Sequence, residues 1–241
     1  GKGTRMRLIN NSKKPYLKIN NKTLFNLCTD NFLSNKSNLY ALNGDQEDNR
    51  NEKLFEKLTK IIVGETNSSV ETLHIALSKS NLQDDQGILI LPCDAAIDLD
   101  WNKFTFENKK LNNYGAIIFS FSGYPLARWK PHNYGWLKLN HDSSIKEIGY
   151  KCGWDSDFSN PIITGYFWFP NIGRLKDNLK NFLEIENKNN KEVSIDEFCK
   201  FVNKSETVYS YQVEDFLCLG TYEEFRTYEY WINANKISKL H

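Results

Sequence analysis

Apolar residues in this chain come in two spacings, short runs or alternations that mark strands and repeats at three and four that mark helices. Leu17 and Ile19 alternate with polar neighbours up to the turn Asn20-Asn21-Lys22, after which Thr23 can cap a helix from Leu24 to about Phe32. Asn38 to Leu42 reads as a strand, Lys53 to Lys60 as a short amphipathic helix, and Ile61-Ile62-Val63 as a buried strand. Ser68 and Glu71 fit a capping box for a helix from Ser69 to Ser80. Gly87-Ile88-Leu89-Ile90-Leu91-Pro92-Cys93-Asp94 is a run of aliphatics ending in an acid, the pattern of a central parallel strand covered on both faces. A short helix, Trp101 to Phe106, separates it from a second buried strand, Tyr114 to Phe121.

Up to Ser122-Gly123 strands alternate with helices, a doubly wound α/β pattern, and beyond it the strands crowd together. Ile145 to Tyr150, Asn160 to Phe169 and Val208 to Val213 read as strands. Leu175 to Ile185 reads as a helix, and Ser194 with Glu197 forms a capping box for another that ends near Val202. Thr221 and Glu224 cap a closing helix whose Phe225, Tyr228, Trp231 and Ile232 recur at helical spacing and are expected to dock on the domain.

Composition narrows the class. An apolar fraction of 40% in 241 residues supports a real core, which excludes global disorder. A net charge of +1 argues against a general nucleic-acid binder, and no apolar run is long enough for a membrane span. The five cysteines, Cys28, Cys93, Cys152, Cys199 and Cys218, form no Cys-x-x-Cys pair and read as reduced thiols of a cytoplasmic protein.

Candidate chemistry lies first in Gly1-Lys2-Gly3-Thr4-Arg5-Met6, followed by Lys13-Lys14-Pro15-Tyr16-Leu17. Glycines flanking a lysine, then a hydroxyl and an arginine, make a loop whose backbone can lie against a polyphosphate. It is neither a Walker loop nor a dinucleotide fingerprint, because Gly3 separates Lys2 from Thr4 and Met6 stands at the third-glycine position. Asp94 falls at a strand end, where ligands of open α/β sheets sit.

Together these strings resemble the sugar nucleotidyltransferases, the nucleoside triphosphate transferase superfamily. Its signature reads Gly-x-Gly-Thr-Arg, a variable loop, then Lys-Pro-x-Leu. The resemblance implies a Rossmann-like doubly wound mixed sheet of the nucleotide-diphospho-sugar transferase type in one domain, 1–241. Within it, 1–121 would be a nucleotide-binding half, 122–221 an acceptor-binding half and 222–241 a closing helix. It also implies a first strand upstream of Gly1, so that the chain reads as lacking that strand.

By the same resemblance, Gly1, Gly3, Thr4, Arg5, Lys14 and Ser69 bind the nucleoside triphosphate, with Arg5 and Lys14 on its phosphates. Asp94 holds Mg2+ on the α-phosphate. Gly135, Lys151, Thr164 and Gly165 line the site of a phosphorylated small-molecule acceptor, with Lys151 on the attacking phosphate. Tyr150-Lys151-Cys152 departs from the family's Glu-Lys-Pro, and Asn67-Ser68-Ser69 from its Gly-Ala or Gly-Gln pair. Cys218 stands where many members have a second metal-binding aspartate, and a thiol is a poor ligand for this hard cation. Either Asp215 reaches in, or Asp94 and the triphosphate hold the metal alone.

Members with such strings occur in bacterial capsule and surface-polysaccharide synthesis, so that is the pathway the resemblance implies, and a homo-oligomer or a fusion to another biosynthetic domain is an accompanying expectation for this chain. Two other readings compete. Asp98-Leu99-Asp100 has the spacing with which glycosyltransferases of related architecture hold a metal nucleotide, although either residue can instead cap the helix at Trp101. A degenerate nucleotide-binding domain without turnover is the third.

Overall fold

The computed structural model describes residues 14–30, 32, 39–43, 59–107, 111–152, 154, 160–186 and 192–238. The glycine loop with Gly1, Gly3, Thr4 and Arg5, and most of the helix expected at Lys53 to Lys60, lie outside them. The chain has a mixed α/β fold with a mixed sheet, as the sequence pattern leads one to expect.

After a 3-10 turn, Lys14–Tyr16, come the short strands β1 (Lys18–Ile19) and β2 (Lys22–Thr23) and helix α1 (Leu24–Thr29). Thr23 caps α1, its hydroxyl accepting the Asn26 amide at 3.1 Å. Strands β3 (Leu39–Asn43) and β4 (Thr59–Gly64) pair in parallel and lead into α2 (Ser69–Ser78). Ser68 caps α2 through the Glu71 amide, while the Glu71 carboxylate accepts from the Asn67 amide, so the expected reciprocal box is shifted by one residue.

The central sheet is built from β5 (Ile88–Ile90), β7 (Ala116–Phe121), β8 (Gly135–Leu139), β9 (Ile145–Tyr150), β10 (Ile162–Phe169) and β11 (Val208–Gln212), and between the first two lies β6 (Ala95–Ile97). Its order is β11, β7, β10, β8, β9, with β5 also on β10. Among the described strands of this sheet, only the β11–β7 pair is parallel.

The expected central parallel strand over Gly87 to Asp94 is corrected here. Only Ile88–Ile90 is strand, it is half-buried, and it pairs antiparallel with β10. Pro92 has no amide hydrogen to donate to a ladder, which ends the strand before Asp94.

Both faces of the sheet are covered, and alternation along β7 shows how. Ala116 and Ile118 point into a core with α2, α5 (Ile172–Glu186) and α6 (Ile195–Val202), while Ile117 and Phe119 point into a second core with Phe104 of α3 (Trp101–Glu107). Tyr166 is fully buried in the second core, and its hydroxyl donates toward the carbonyls of Cys28 and Ala95 at 2.9 and 2.8 Å.

Between β7 and β8 stands α4 (Pro125–Trp129). The last strand is β12 (Phe216–Cys218), and helix α7 (Tyr222–Ser238) closes the fold. On α7, Phe225 is buried with Tyr228 and Ile232 packed beside it, but Trp231 is 58% exposed. The expectation that Trp231 docks is wrong. At 100° per residue Phe225, Tyr228 and Ile232 share one stripe, and Trp231 lies about 60° beyond Tyr228, at that stripe's edge.

Candidate active site

The site grows from one pairing between distant segments. β12 runs antiparallel to β6 with Cys218 opposite Ala95, and the Leu219 amide donates to the Asp94 carbonyl at 2.7 Å. Asp94 is thereby fixed against Gly220. A methyl group at Gly220 would stand 3.4 Å from Asp94 Oδ2, 3.5 Å from Cys218 Sγ and 3.6 Å from Glu224 Oε2, so three chemistry-bearing side chains converge on this backbone position. Lys14, from the amino end, completes the corner. Its ammonium forms an ion pair with Asp94 and donates to the Gly220 carbonyl at 3.1 Å.

Glu224, on the first turn of α7, is 4% exposed and has both carboxylate oxygens occupied. Oε2 accepts from the Thr221 amide and hydroxyl at 2.8 and 2.9 Å, and Oε1 from the phenols of Tyr134 and Tyr124 at 2.5 and 3.3 Å. Burial, with the Glu224 carboxylate alongside, raises both phenols above their ordinary range and keeps them neutral donors. Burial, then the charges of Glu224 and Asp94, pushes the Cys218 thiol well above its usual value, so it stays protonated.

Asp94, Cys218, Gly220, Thr221 and Glu224 line a cavity of about 170 Å³. Tyr134, Gly135, Ile163, Thr164, Gly165 and Asp196 line it as well. Gly135 is required by close approach, since a methyl there would lie 2.7 Å from Asp196 Oδ2 and 2.9 Å from Ile163 Cδ1. Gly165 has a positive φ of 90° within the irregular stretch of β10 that faces β7. Asp196, in the first turn of α6, carries a carboxyl pushed up to about 6, chiefly by burial and then by Glu197, with the Lys151 ammonium opposing.

Of the residues expected to form the site, Asp94, Gly135, Thr164 and Gly165 line this cavity, and Lys14 meets it through Asp94. The Thr164 hydroxyl donates to the Phe119 carbonyl at 2.8 Å. Lys151 follows β9 with φ at 48°, is exposed, and places its ammonium 4.7 Å from the Tyr150 ring centre, outside the lining. Ser69 is exposed at the start of α2.

Asp215 is not brought to Asp94. It is exposed, and its carbonyl accepts from the Asp98 amide at the opposite end of the β6–β12 ladder, three residues or about 10 Å from Cys218. Asp100 caps α3 through the amides of Asn102 and Lys103, which removes the reason to read Asp98 and Asp100 as a metal pair.

Sequence reasoning missed Asp196 altogether and read Glu224 only as a cap. Glu197 carries the capping-box signal of α6, and nothing in the pattern sets its neighbour Asp196 apart.

Among the described residues, no three His, Cys, Asp or Glu side chains gather to hold a metal. Mg2+ is commonly held by one or two carboxylates with substrate phosphates and water, so the Asp94 carboxylate fits such an ion, and the neutral Cys218 thiol does not add to it.

No family model and no curated protein matches the chain. Solved structures do. A nucleoside-diphosphate-sugar pyrophosphorylase from Vibrio cholerae is 14% identical over 95% of this chain and 96% of its own, with a TM-score of 0.73. A UDP-glucose pyrophosphorylase solved with UDP-glucose is 14% identical over 98% and 96%, at 0.71. An inositol-1-phosphate CTP transferase from T. maritima is 11% identical over 93% and 87%, at 0.67. What the chain shares with these nucleotidyltransferases is their fold.

Proposed function

We propose that the protein is a nucleotidyltransferase that joins a nucleoside triphosphate to a sugar 1-phosphate or a similar phosphorylated acceptor. The observation that carries this reading is the meeting of Lys14 and Asp94 at one corner of the cavity, a cation and an anion from segments 80 residues apart. In the reaction an acceptor phosphate oxygen attacks the α-phosphorus and the bond to the β-phosphate oxygen breaks, releasing pyrophosphate. Negative charge grows on the phosphoryl and leaving oxygens, so positioning and electrostatic stabilisation do most of the work. An ionised acceptor phosphate needs no general base.

Lys14 and Arg5 would hold the triphosphate, Gly1, Gly3, Thr4 and Ser69 its surroundings, and Lys151 the acceptor phosphate. Lys14 must then exchange Asp94 for a phosphate when the nucleotide arrives. Mg2+ on Asp94 would neutralise the developing phosphoryl charge. Surface-polysaccharide synthesis in the cytoplasm is the setting supported by the resemblance of the signature strings and by free cysteines throughout the described residues.

The test is pyrophosphate release by the full chain from each nucleoside triphosphate with a panel of phosphorylated acceptors. Asp94→Asn is expected to lower turnover by at least about a hundredfold, the scale of losing one main electrostatic group. Near-full turnover in that variant removes Asp94 from the role. The protonated Cys218 beside Asp94 favours one other reading, a nucleotide-binding domain without turnover, which tight nucleotide binding with no pyrophosphate release would support.

A further inference from the structure

The cavity wall says more about the acceptor than that it bears a phosphate. Three carboxylates line it. Asp94 is paired with Lys14, and Glu224 has both oxygens filled by Thr221, Tyr124 and Tyr134. Asp196 differs from both. Its half-buried carboxyl lines the cavity with its own backbone amide as hydrogen-bond partner, no ion pair with it forms among the described residues, and Gly135 leaves it room by having no side chain.

A second feature points the same way. Tyr134 and Phe216 also line the cavity, and Tyr124 packs edge-on against both rings, at 5.6 and 5.2 Å between centroids. No lysine or arginine is among the lining residues described. Aromatic faces beside a carboxylate that has no ion-pair partner in the cavity wall attract a cation. A hydroxyl group could give Asp196 one hydrogen bond but could not cancel its charge, and a desolvated charge left uncancelled is costly.

We propose that the acceptor carries a cationic amine as well as its phosphate, as an amino alcohol phosphate or amino sugar phosphate does, with the ammonium group bound by Asp196 against the Tyr134 and Phe216 rings. This rests on the nucleotidyltransferase reading and names its substrate class. Asp196 is then the residue of the cavity wall that selects the acceptor.

The experiment uses a matched pair of probes, 2-aminoethyl phosphate and 2-hydroxyethyl phosphate, which differ only in the terminal group. Binding to the full chain is measured by calorimetry with and without an α,β-methylene nucleoside triphosphate, for the native protein and for Asp196→Asn. The expected result is tighter binding of the amine by roughly ten- to a hundredfold, the value of a desolvated charge-assisted contact, falling to near equality in Asp196→Asn. Equal affinity for the two, affinity for neither, or a preference that survives in Asp196→Asn overturns the proposal.

Pyrophosphate release with natural triphosphates separates the two readings. Equal turnover of both probes overturns the amine assignment and leaves the transferase standing. An Asp196-dependent amine preference without pyrophosphate from any triphosphate sinks the transferase and leaves the amine site.

Discussion

Replacing Asp196 by asparagine is expected to stabilise the free protein, and to do so only where the native carboxyl is ionised. Its pKa rises from 3.8 to about 6 on folding, so the folded chain holds this proton more tightly than the unfolded one. Below pH 3.8 the group is protonated in both states and costs nothing. Between about 4 and 6 the unfolded chain ionises while the folded chain resists, and stability falls until the full cost stands above about pH 6.

A rise of roughly two units at about 1.36 kcal/mol each comes to ~3 kcal/mol. Asp196 is only half-buried, and solvent screening discounts this to about 1 to 3 kcal/mol. With unfolding entropy near 2.1 cal/mol/K per residue, a chain of this length shifts by about 2 °C per kcal/mol, so Asp196→Asn gains roughly 2 to 6 °C above pH 7. Thermal unfolding of both proteins at a series of pH values reads the difference, in which all other titrating groups cancel. A gap that does not close toward pH 4 refutes the reasoning. So does an asparagine variant less stable at pH 8, which would mean that the Lys151 charge outweighs burial.

Two further substitutions probe the same walls. Cys218→Asp puts a third carboxylate beside Asp94 and Glu224, so the free protein is expected to lose about 2 to 4 kcal/mol in chelator and to recover with millimolar Mg2+, read as the melting temperature with and without the metal; no loss in chelator means that position 218 does not face Asp94. Gly135→Ala sets a methyl 2.7 Å from Asp196 Oδ2 and 2.9 Å from Ile163 Cδ1, an overpacking expected to cost about 1 to 3 kcal/mol in urea unfolding, and a change below about 0.5 kcal/mol would show that the wall yields freely.

Much of the fold is written locally. The caps at Thr23, Ser194 and Thr221 each join residues three apart and form as the spacing predicts, because a capping bond needs only the first turn of its own helix. The strands Ala116–Phe121 and Ile162–Phe169 announce themselves by apolar runs that both cores then share out by alternation. Asp94 stands out in the sequence as an acid closing an aliphatic run, although the strand beneath it ends at Ile90 and it is the β6–β12 pairing that sets Asp94 in the cavity wall.

The residues themselves thus determined the mixed α/β class, most helix starts and one carboxylate of the site. The tertiary structure decided what stands around that carboxylate. Three-residue strands such as β6 and β12 are too short to carry a periodic signal, yet their pairing brings Cys218 and Gly220 to Asp94 across more than a hundred residues. The same holds for β5, whose aliphatic run could not reveal that its partner is the antiparallel β10. Asp196 is the plainest case. In the sequence it is one acid beside another at a helix start, and only the packing of α6 against Gly135 takes it partly out of water, raises its pKa and sets it in the cavity wall. Burial belongs to the assembled chain, and it is burial that separates a binding carboxylate from a solvated one.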